Sequence, residues 1–416
     1  MRMAAKRGDL QGQLIAAGRG GDPFPVLEQI RAQGPLYRGK FAYVTTSLPV
    51  VREVLGSNDF RTGFDTSQVS GLVGRTFSWA AETGFLGPLE PPSLLVTEPP
   101  DHTRYRKLVT RVFTVRAVEK LRERTEEIAR ELLDGLDGAD QVDLVEAYCT
   151  LLPVTVIAEI LGVPKSERQR VLGFGAAAAP SLDLGLSWRQ FRTVERALAQ
   201  FDTWLGDHLR RLRSHPGDDL LSQLVAAQDN GVGLDERELK ATAGLVLAAG
   251  FETTVNLLGN GVALLDAHRD QLARLKTEPE LWPNAVDEML RLDPPVLLTG
   301  RTALRDTVVA GQPIPKRALV TTVLAAANRD PEVFTDPTRF DVARANAKDH
   351  VSFSAGRHFC LGAALARMEG EVGLRALFDR YPELRVLPGG RRRETRILRG
   401  FAQLPVRLGE PAKTEV

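Results

Sequence analysis

The stretch LDERELKATAGLVLAAGFETTVNLLGNGVALLDAH, residues 234–268, keeps a helical pattern for about thirty residues, longer than globular helices usually run. Asp235 followed three positions later by Glu238 has the form of a capping box and marks the start. A helix of that length crosses a whole domain. Helical periodicity also dominates from about Asp101 to Arg291, so the chain reads as mainly α with small β-sheets. The middle of the long helix holds Gly250, Glu252, Thr253 and Thr254, poor choices for a buried helix unless distortion and polar groups are wanted there. The plain alternative is that the hydroxyls bond back to the preceding turn.

Around that helix the pattern changes several times. PLYRGKFAYVTTSLPVVREVL alternates like a small sheet and then turns helical. From Arg61 to Pro100, glycines, prolines and the aromatics Phe64, Phe77, Trp79 and Phe85 show little periodicity, which suggests an ordered loop over a cavity. LGFGAAAAPSLDLGLSWRQF is a second irregular break, and the two together could form a lid. LWPNAVDEMLRLDPPVLLTGR places Glu288 and Arg291 three apart on one helical face; such a pair by itself usually marks a solvated surface. A proline-rich meander, a closing helix and a terminal strand pair around RILRGFAQLPVRL complete the chain.

Composition removes several classes of function. Lys and Arg total 54 against 53 Asp and Glu, with 43% hydrophobic residues, so nothing electrostatic demands nucleic acid or a membrane. The apolar run AGLVLAAG is far short of the ~20 residues that span a bilayer, and the first residues lack an apolar signal core, so a cytoplasmic protein is expected. With no linker composition, the 416 residues read as a single domain preceded by a flexible segment over residues 1–22. Two cysteines cannot build a disulfide framework. Cys149 lies in the apolar helical pattern VEAYCTLLPVTVIAEIL, where a buried inert thiol is the usual state.

Cys360 is different, because FSAGRHFCLG sets it between glycines with His358 two positions before it. Without companion cysteines it cannot make a tetrahedral zinc or iron–sulfur site, which needs three or four ligands at short spacings. Haem needs only one protein thiolate, since the porphyrin supplies four nitrogens. Gly356 and Gly362 then let the backbone approach a flat macrocycle or adopt positive φ, and the following helix favours thiolate through its N-terminal dipole. A Cys360–His358 nucleophile and base is the competing chemistry, but residues two apart in an extended loop point in opposite directions. A structural thiol leaves the glycines unexplained.

FSAGRHFCLG resembles the haem-ligating signature of cytochromes P-450, Phe-x-x-Gly-x-His/Arg-x-Cys-x-Gly. AAGFETT is similar to that superfamily's oxygen-activating segment, EMLR to its Glu-x-x-Arg, EPPDHTRYR to its haem-clamping helix start, and HVSFSAG and DPTRFD to the approach to the ligand loop. The order covers essentially the whole chain. GLVLAAGFETTVNLLGNG and FSAGRHFCLGAALA are most similar to the actinobacterial family numbered 140. Ser354 stands where bacterial members usually carry glycine, and Glu252 replaces an aspartate.

The resemblance implies a triangular helical domain around a buried haem b, with Cys360 as the iron ligand and Phe353 beside its sulfur. His102, Arg106, Arg301 and His358 would take the two propionates. Ala249 and Gly250 would form the groove for dioxygen, Thr253 the hydroxyl beside it, and Glu252 the acid that feeds protons through water. Glu288 and Arg291, joined by Arg339, would form a structural network behind the haem. Leu247, Ala248, Phe251, Val296, Leu297 and Phe401, with the loop from Arg61 to Pro92 and the segment near Pro180, would line an apolar pocket for a hydrophobic small molecule. The implied activity is a monooxygenase, monomeric, supplied by a separate ferredoxin and its NAD(P)H-dependent reductase, because no cysteine cluster, flavin segment or dinucleotide fingerprint hosts a reductase. Arg104, Lys107, Arg111 and Arg357 are the basic residues expected to meet an acidic ferredoxin. The alternatives are a peroxygenase-type haem-thiolate enzyme and a non-catalytic haem-thiolate ligand-binding protein.

Overall fold

A computed structural model describes residues 8–17, 20–63, 91–112, 114–183, 187–217, 219–229 and 232–412. The long helix runs Glu236–Ala267, 32 residues. Its capping box is closed both ways: Asp235 Oδ1 accepts from the Glu238 amide at 2.8 Å, and Glu238 Oε2 accepts from the Asp235 amide at 2.9 Å. Helices Leu151–Ile160, Arg168–Ala178, Trp282–Leu292 and Ala363–Arg380 pack on it. Burial on nearly every side is why its pattern is apolar without a clean polar face. The helix is long and apolar enough to cross a membrane by length and composition, yet 67% of that window is buried inside the protein. Small residues permit the closest crossing. A Cβ on Gly261 would lie 2.7 Å from Leu374 Cδ1, and one on Gly373 2.6 Å from Leu152 Cδ2.

Five short strands form the largest sheet, in the order Tyr37–Arg38, Tyr43–Thr45, Leu319–Thr322, Thr299–Ala303, Phe60–Thr62. The second and third run parallel and the other pairs antiparallel. The outer register sets Thr62 opposite Arg301, so a strand edge delivers Arg301 to the site described below.

Three expectations need correction. Residues 1–22 are not a flexible segment throughout: Leu10–Ala17 is a helix with Leu14 buried, because Leu14 joins Leu27, Ile30 and Val44 in a small apolar cluster. The break after Leu172 is shorter than its composition suggests, since helix Arg168–Ala178 and a 3₁₀ turn Ala179–Leu182 occupy most of it. The terminal strands are not a pair: Phe401–Gln403 pairs with Arg391–Arg392, whereas Pro405–Arg407 lies between Arg385–Val386 and Gln141–Asp143. Phe64, Phe77, Trp79 and Phe85, and with them the proposed lid, lie outside the described residues.

Glu288 and Arg291 are fully buried rather than solvated. Arg291 donates to both carboxylate oxygens of Glu288, Nε at 2.6 Å and Nη2 at 2.8 Å. Its remaining N–H groups reach the carbonyls of Asn328, Pro337 and Arg339. The second guanidinium is Arg344, not Arg339: Arg344 Nε donates to Glu288 Oε1 at 3.0 Å, while the Arg339 side chain is exposed and contributes only its carbonyl. The meander turns between the two positions, pointing Arg339 outward and Arg344 in.

Candidate functional site

The cysteine loop is anchored by Gly356. Its φ is +68°, and a Cβ there would lie 2.4 Å from the Leu55 carbonyl oxygen, so the loop rests directly on the end of helix Leu48–Gly56. The Cys360 amide donates to the Phe353 carbonyl at 2.9 Å. Gly362 does not need positive φ, since its φ is −86°; it is the N-cap of helix Ala363–Arg380, and a Cβ there would meet no protein atom within 4 Å. Ser354 takes the left-handed conformation at φ +65°, and its hydroxyl is buried without a hydrogen bond. That conformation explains why glycine suits the position.

Cys360 is solvent-accessible, but protein crowds its sulfur closely. Burial pushes the thiol up, while the Gly362 amide at the start of the following helix, Arg106 and Arg367 pull it toward thiolate. A bound metal would deprotonate the group outright. Phe353 is buried under the Arg367 guanidinium, 4.6 Å above its ring, and Arg367 is held by Asp287 at 2.7 Å. Cys149, by contrast, is fully enclosed and raised to about 12 by burial, an inert thiol.

His102, Arg106, Arg301 and His358 converge beside this loop. The two imidazole rings stand 4.5 Å apart, and both Nε2 atoms are buried without a hydrogen-bond partner. Burial, then the nearby His358 and Arg106, lower His102 to about 4. Arg106 follows one turn later on helix Asp101–Val112. Arg301 is buried, lowered to about 10 by burial, and donates to Thr299 Oγ1 and the Gly300 carbonyl. Thr103, Lys107, Thr110 and Arg357 join His102 and Arg106 around an open cavity of ≈ 640 Å³. Buried imidazole donors with nothing to bind, two arginines and one accessible cysteine fit a group that carries two carboxylates and accepts a single axial sulfur.

A residue not singled out from the sequence sits among them. Glu98 accepts from the Thr62 amide at 2.7 Å and from Arg357 Nη1 at 3.0 Å, and lies 3.4 Å from His358 Nε2 without the alignment of a hydrogen bond. Its carboxyl is held at about 2: burial raises it, but His358, the Thr62 amide and Arg357 outweigh that. The available signal was its place at the head of EPPDHTRYR, four positions before His102.

On the long helix, Thr253 Oγ1 donates to the Ala249 carbonyl at 2.7 Å and Thr254 Oγ1 to the Gly250 carbonyl at 3.1 Å, so both hydroxyls do bond back. Glu252 is buried and paired with Arg393 at 2.7 Å; burial raises its carboxyl and Arg393 opposes that. Arg393 follows two other arginines and carries no sequence signal. Gly250 has a packing reason of its own, since a Cβ would lie 2.9 Å from Ile157 Cδ1.

The pocket residues divide. Val246, Ala249, Gly250 and Thr253 are only half-buried and share one face at helical spacing. Leu247 and Phe251 point instead into the main core, with Phe174, Phe201 and Ile157, and Ala248 is equally buried. Val296 bridges Leu398, and the Leu297 amide donates to the Ile397 carbonyl. Phe401 packs on Gly259 beneath Arg392, about 12 Å along the helix from Phe251. Of the basic residues, Arg104 is committed to Glu238 and the Gly233 carbonyl, and Arg357 to Glu98, Ser57 and Asn58. Lys107 is exposed, and the Arg111 side chain lies outside the described residues.

A family model, Cytochrome P450, matches residues 178–408. A Mycobacterium tuberculosis protein carrying the name cytochrome P450 140 is 53% identical over 419 residues, 99% of this chain and 94% of its own. The 6-deoxyerythronolide B hydroxylase of Saccharopolyspora erythraea is 43% identical over 316 residues, 75% of this chain and 77% of its own. Among solved structures, the cytochrome P450 PksS of Bacillus subtilis superposes with a TM-score of 0.84 at 33% identity, across 94% of this chain and 97% of its own.

Proposed function

The chain belongs to the cytochrome P450 family, a haem-binding monooxygenase, and from that premise we propose that it oxygenates an apolar substrate with electrons from a separate ferredoxin and reductase. The observation that carries the site assignment is the convergence of His102, Arg106, Arg301 and His358 on the side of the Cys360 loop, with two buried imidazole nitrogens unpartnered.

Haem, when bound, supplies the iron at which dioxygen is activated. The residues of the chain do the rest. Cys360 Sγ would be the protein's donor to the iron, on a loop tied to Phe353 by the Cys360 amide. His102, His358, Arg106 and Arg301 would hold the propionates, the imidazoles as donors and the arginines as charges. Glu252, whose carboxyl burial raises and Arg393 lowers, is the acid placed to pass protons on through water. Thr253 spends its proton on Ala249 and keeps oxygen lone pairs free to accept from water. The half-buried face Val246, Ala249 and Gly250, with Val296 and Leu398, favours a hydrophobic substrate. Lys107 is the basic residue best placed to meet an acidic carrier.

One experiment separates these statements. The dithionite-reduced protein under carbon monoxide should give the thiolate-type spectrum, and NADPH should produce the same spectrum only after ferredoxin and its reductase are added. An imidazole-type or haem-free spectrum sinks the site assignment; reduction by NADPH alone sinks the partner assignment. Lipophilic compounds should shift the ferric spectrum where polar ones of the same size do not, and the reverse order sinks the substrate class.

A further inference from the structure

Resting on the reading that this cradle takes haem propionates, we infer that Glu98 is its positioning residue: a carboxylate of the chain that aims His358 and Arg357 from the cysteine loop without using up the histidine's donor. The Glu98 side chain ties two segments far apart in sequence, and its backbone starts the helix that follows it. Its Oε1 accepts from the Thr62 amide at 2.7 Å and Thr62 Oγ1 at 3.2 Å, on the strand whose register pairs Thr62 with Arg301. Its Oε2 accepts from Arg357 Nη1 at 3.0 Å, 259 residues away. Its carbonyl receives the His102 amide at 3.1 Å, which starts the helix bearing His102 and Arg106. Arg301 also feels its charge.

The geometry at His358 decides the role. Nε2 stands 3.4 Å from Glu98 Oε1 yet makes no hydrogen bond. Glu98 therefore holds the ring at ion-pair distance, in a contact too loose to meet hydrogen-bond geometry. Arg357 does the opposite and is fully committed, to Glu98, Asn58 Oδ1 and the Ser57 carbonyl. Charge requires something of this kind. Arg106, Arg301 and Arg357 gather in one region where like charges repel, so three cations need an internal anion to stand together. A single carboxylate offsets their repulsion and leaves net positive charge for two more.

The rival effect is repulsion, since Glu98 would also push away an incoming carboxylate. The two differ in sign. In the full-length haem-loaded protein, haem transfer to an excess of apomyoglobin should be about 10–100-fold faster in Glu98→Gln, the usual cost of losing a partner that orients a ligand-holding group. Glu98→Asp, which keeps the charge, should recover part of it and guards against a Gln variant that fails to fold. Resonance Raman bands of the propionates should shift in Glu98→Gln while the iron–sulfur band stays. Unchanged or slower haem loss, or a shift of the iron–sulfur band alone, overturns the inference. If the parent protein itself lacks a thiolate-type carbon monoxide spectrum, the haem reading fails instead.

Discussion

Two clusters of buried charge lie on the same chain and are built in opposite ways. Around Glu288, every N–H of Arg291 finds an acceptor, both carboxylate oxygens are used, and Arg344 closes the set with carbonyls of the meander. Around Glu98, two buried imidazole nitrogens find none, and Arg301 meets only neutral acceptors among the described residues. Buried polar groups are normally satisfied, because leaving one unmade costs about 1–3 kcal/mol. The complete cluster is a structural clamp; the incomplete one is the cradle proposed for the propionates. The lesson is that burial and charge alone do not tell a site from a scaffold; unspent hydrogen-bonding capacity gathered on several converging side chains separates these two clusters.

The largest effect should come from breaking the complete cluster. Arg344→Ala leaves Glu288 short of a buried partner and should cost about 3–5 kcal/mol in denaturant unfolding, while Arg339→Ala, which keeps the carbonyl, should stay within about 0.5 kcal/mol. Equal losses would return Arg339 to the network.

Glu369 sharpens the contrast from a third direction. It is buried with Oε1 unpartnered, and burial raises its carboxyl to about 8, with Thr254 pulling the other way. The folded chain thus keeps a proton that the unfolded chain releases near its ordinary 4.5, so stability should fall as pH rises from about 5 to 8 and level off above. Glu369→Gln lacks that titration: thermal unfolding should show it close to the parent at pH 5 and more stable at pH 8, by on the order of 1–3 kcal/mol. No difference in slope would mean the carboxyl is charged and partnered.

The smallest effect is at Ser354. Relieving a left-handed non-glycine residue with an unpartnered hydroxyl, Ser354→Gly should stabilise the protein by roughly 1 kcal/mol in the same unfolding measurement. A loss of stability would mean the loop needs that side chain.

Much of this molecule was legible in the residues. The capping box at Asp235, the single long helix, the positive φ at Gly356 and the pairing of Glu288 with Arg291 depend on spacings of three or four residues or on one backbone conformation. Helical geometry fixes which side chains meet at such spacings, so sequence suffices. The pattern did not say which half of an apolar helix faces a cavity, because a helix buried all round has no polar face to orient it. Leu247 and Phe251 turned into the core for that reason, and Val246 took the accessible side.

What the sequence by itself determined is a mainly helical protein of the haem-thiolate type with one candidate ligand, Cys360. The tertiary structure decided the partners: Arg344 over Arg339 for Glu288, Arg393 for Glu252, Leu398 for Val296, and Glu98 for Arg357. Each joins a residue on one element to a loop that returns from far along the chain. Nothing in local spacing encodes that return; only the packing of helices and strands between the two ends brings the charges within reach.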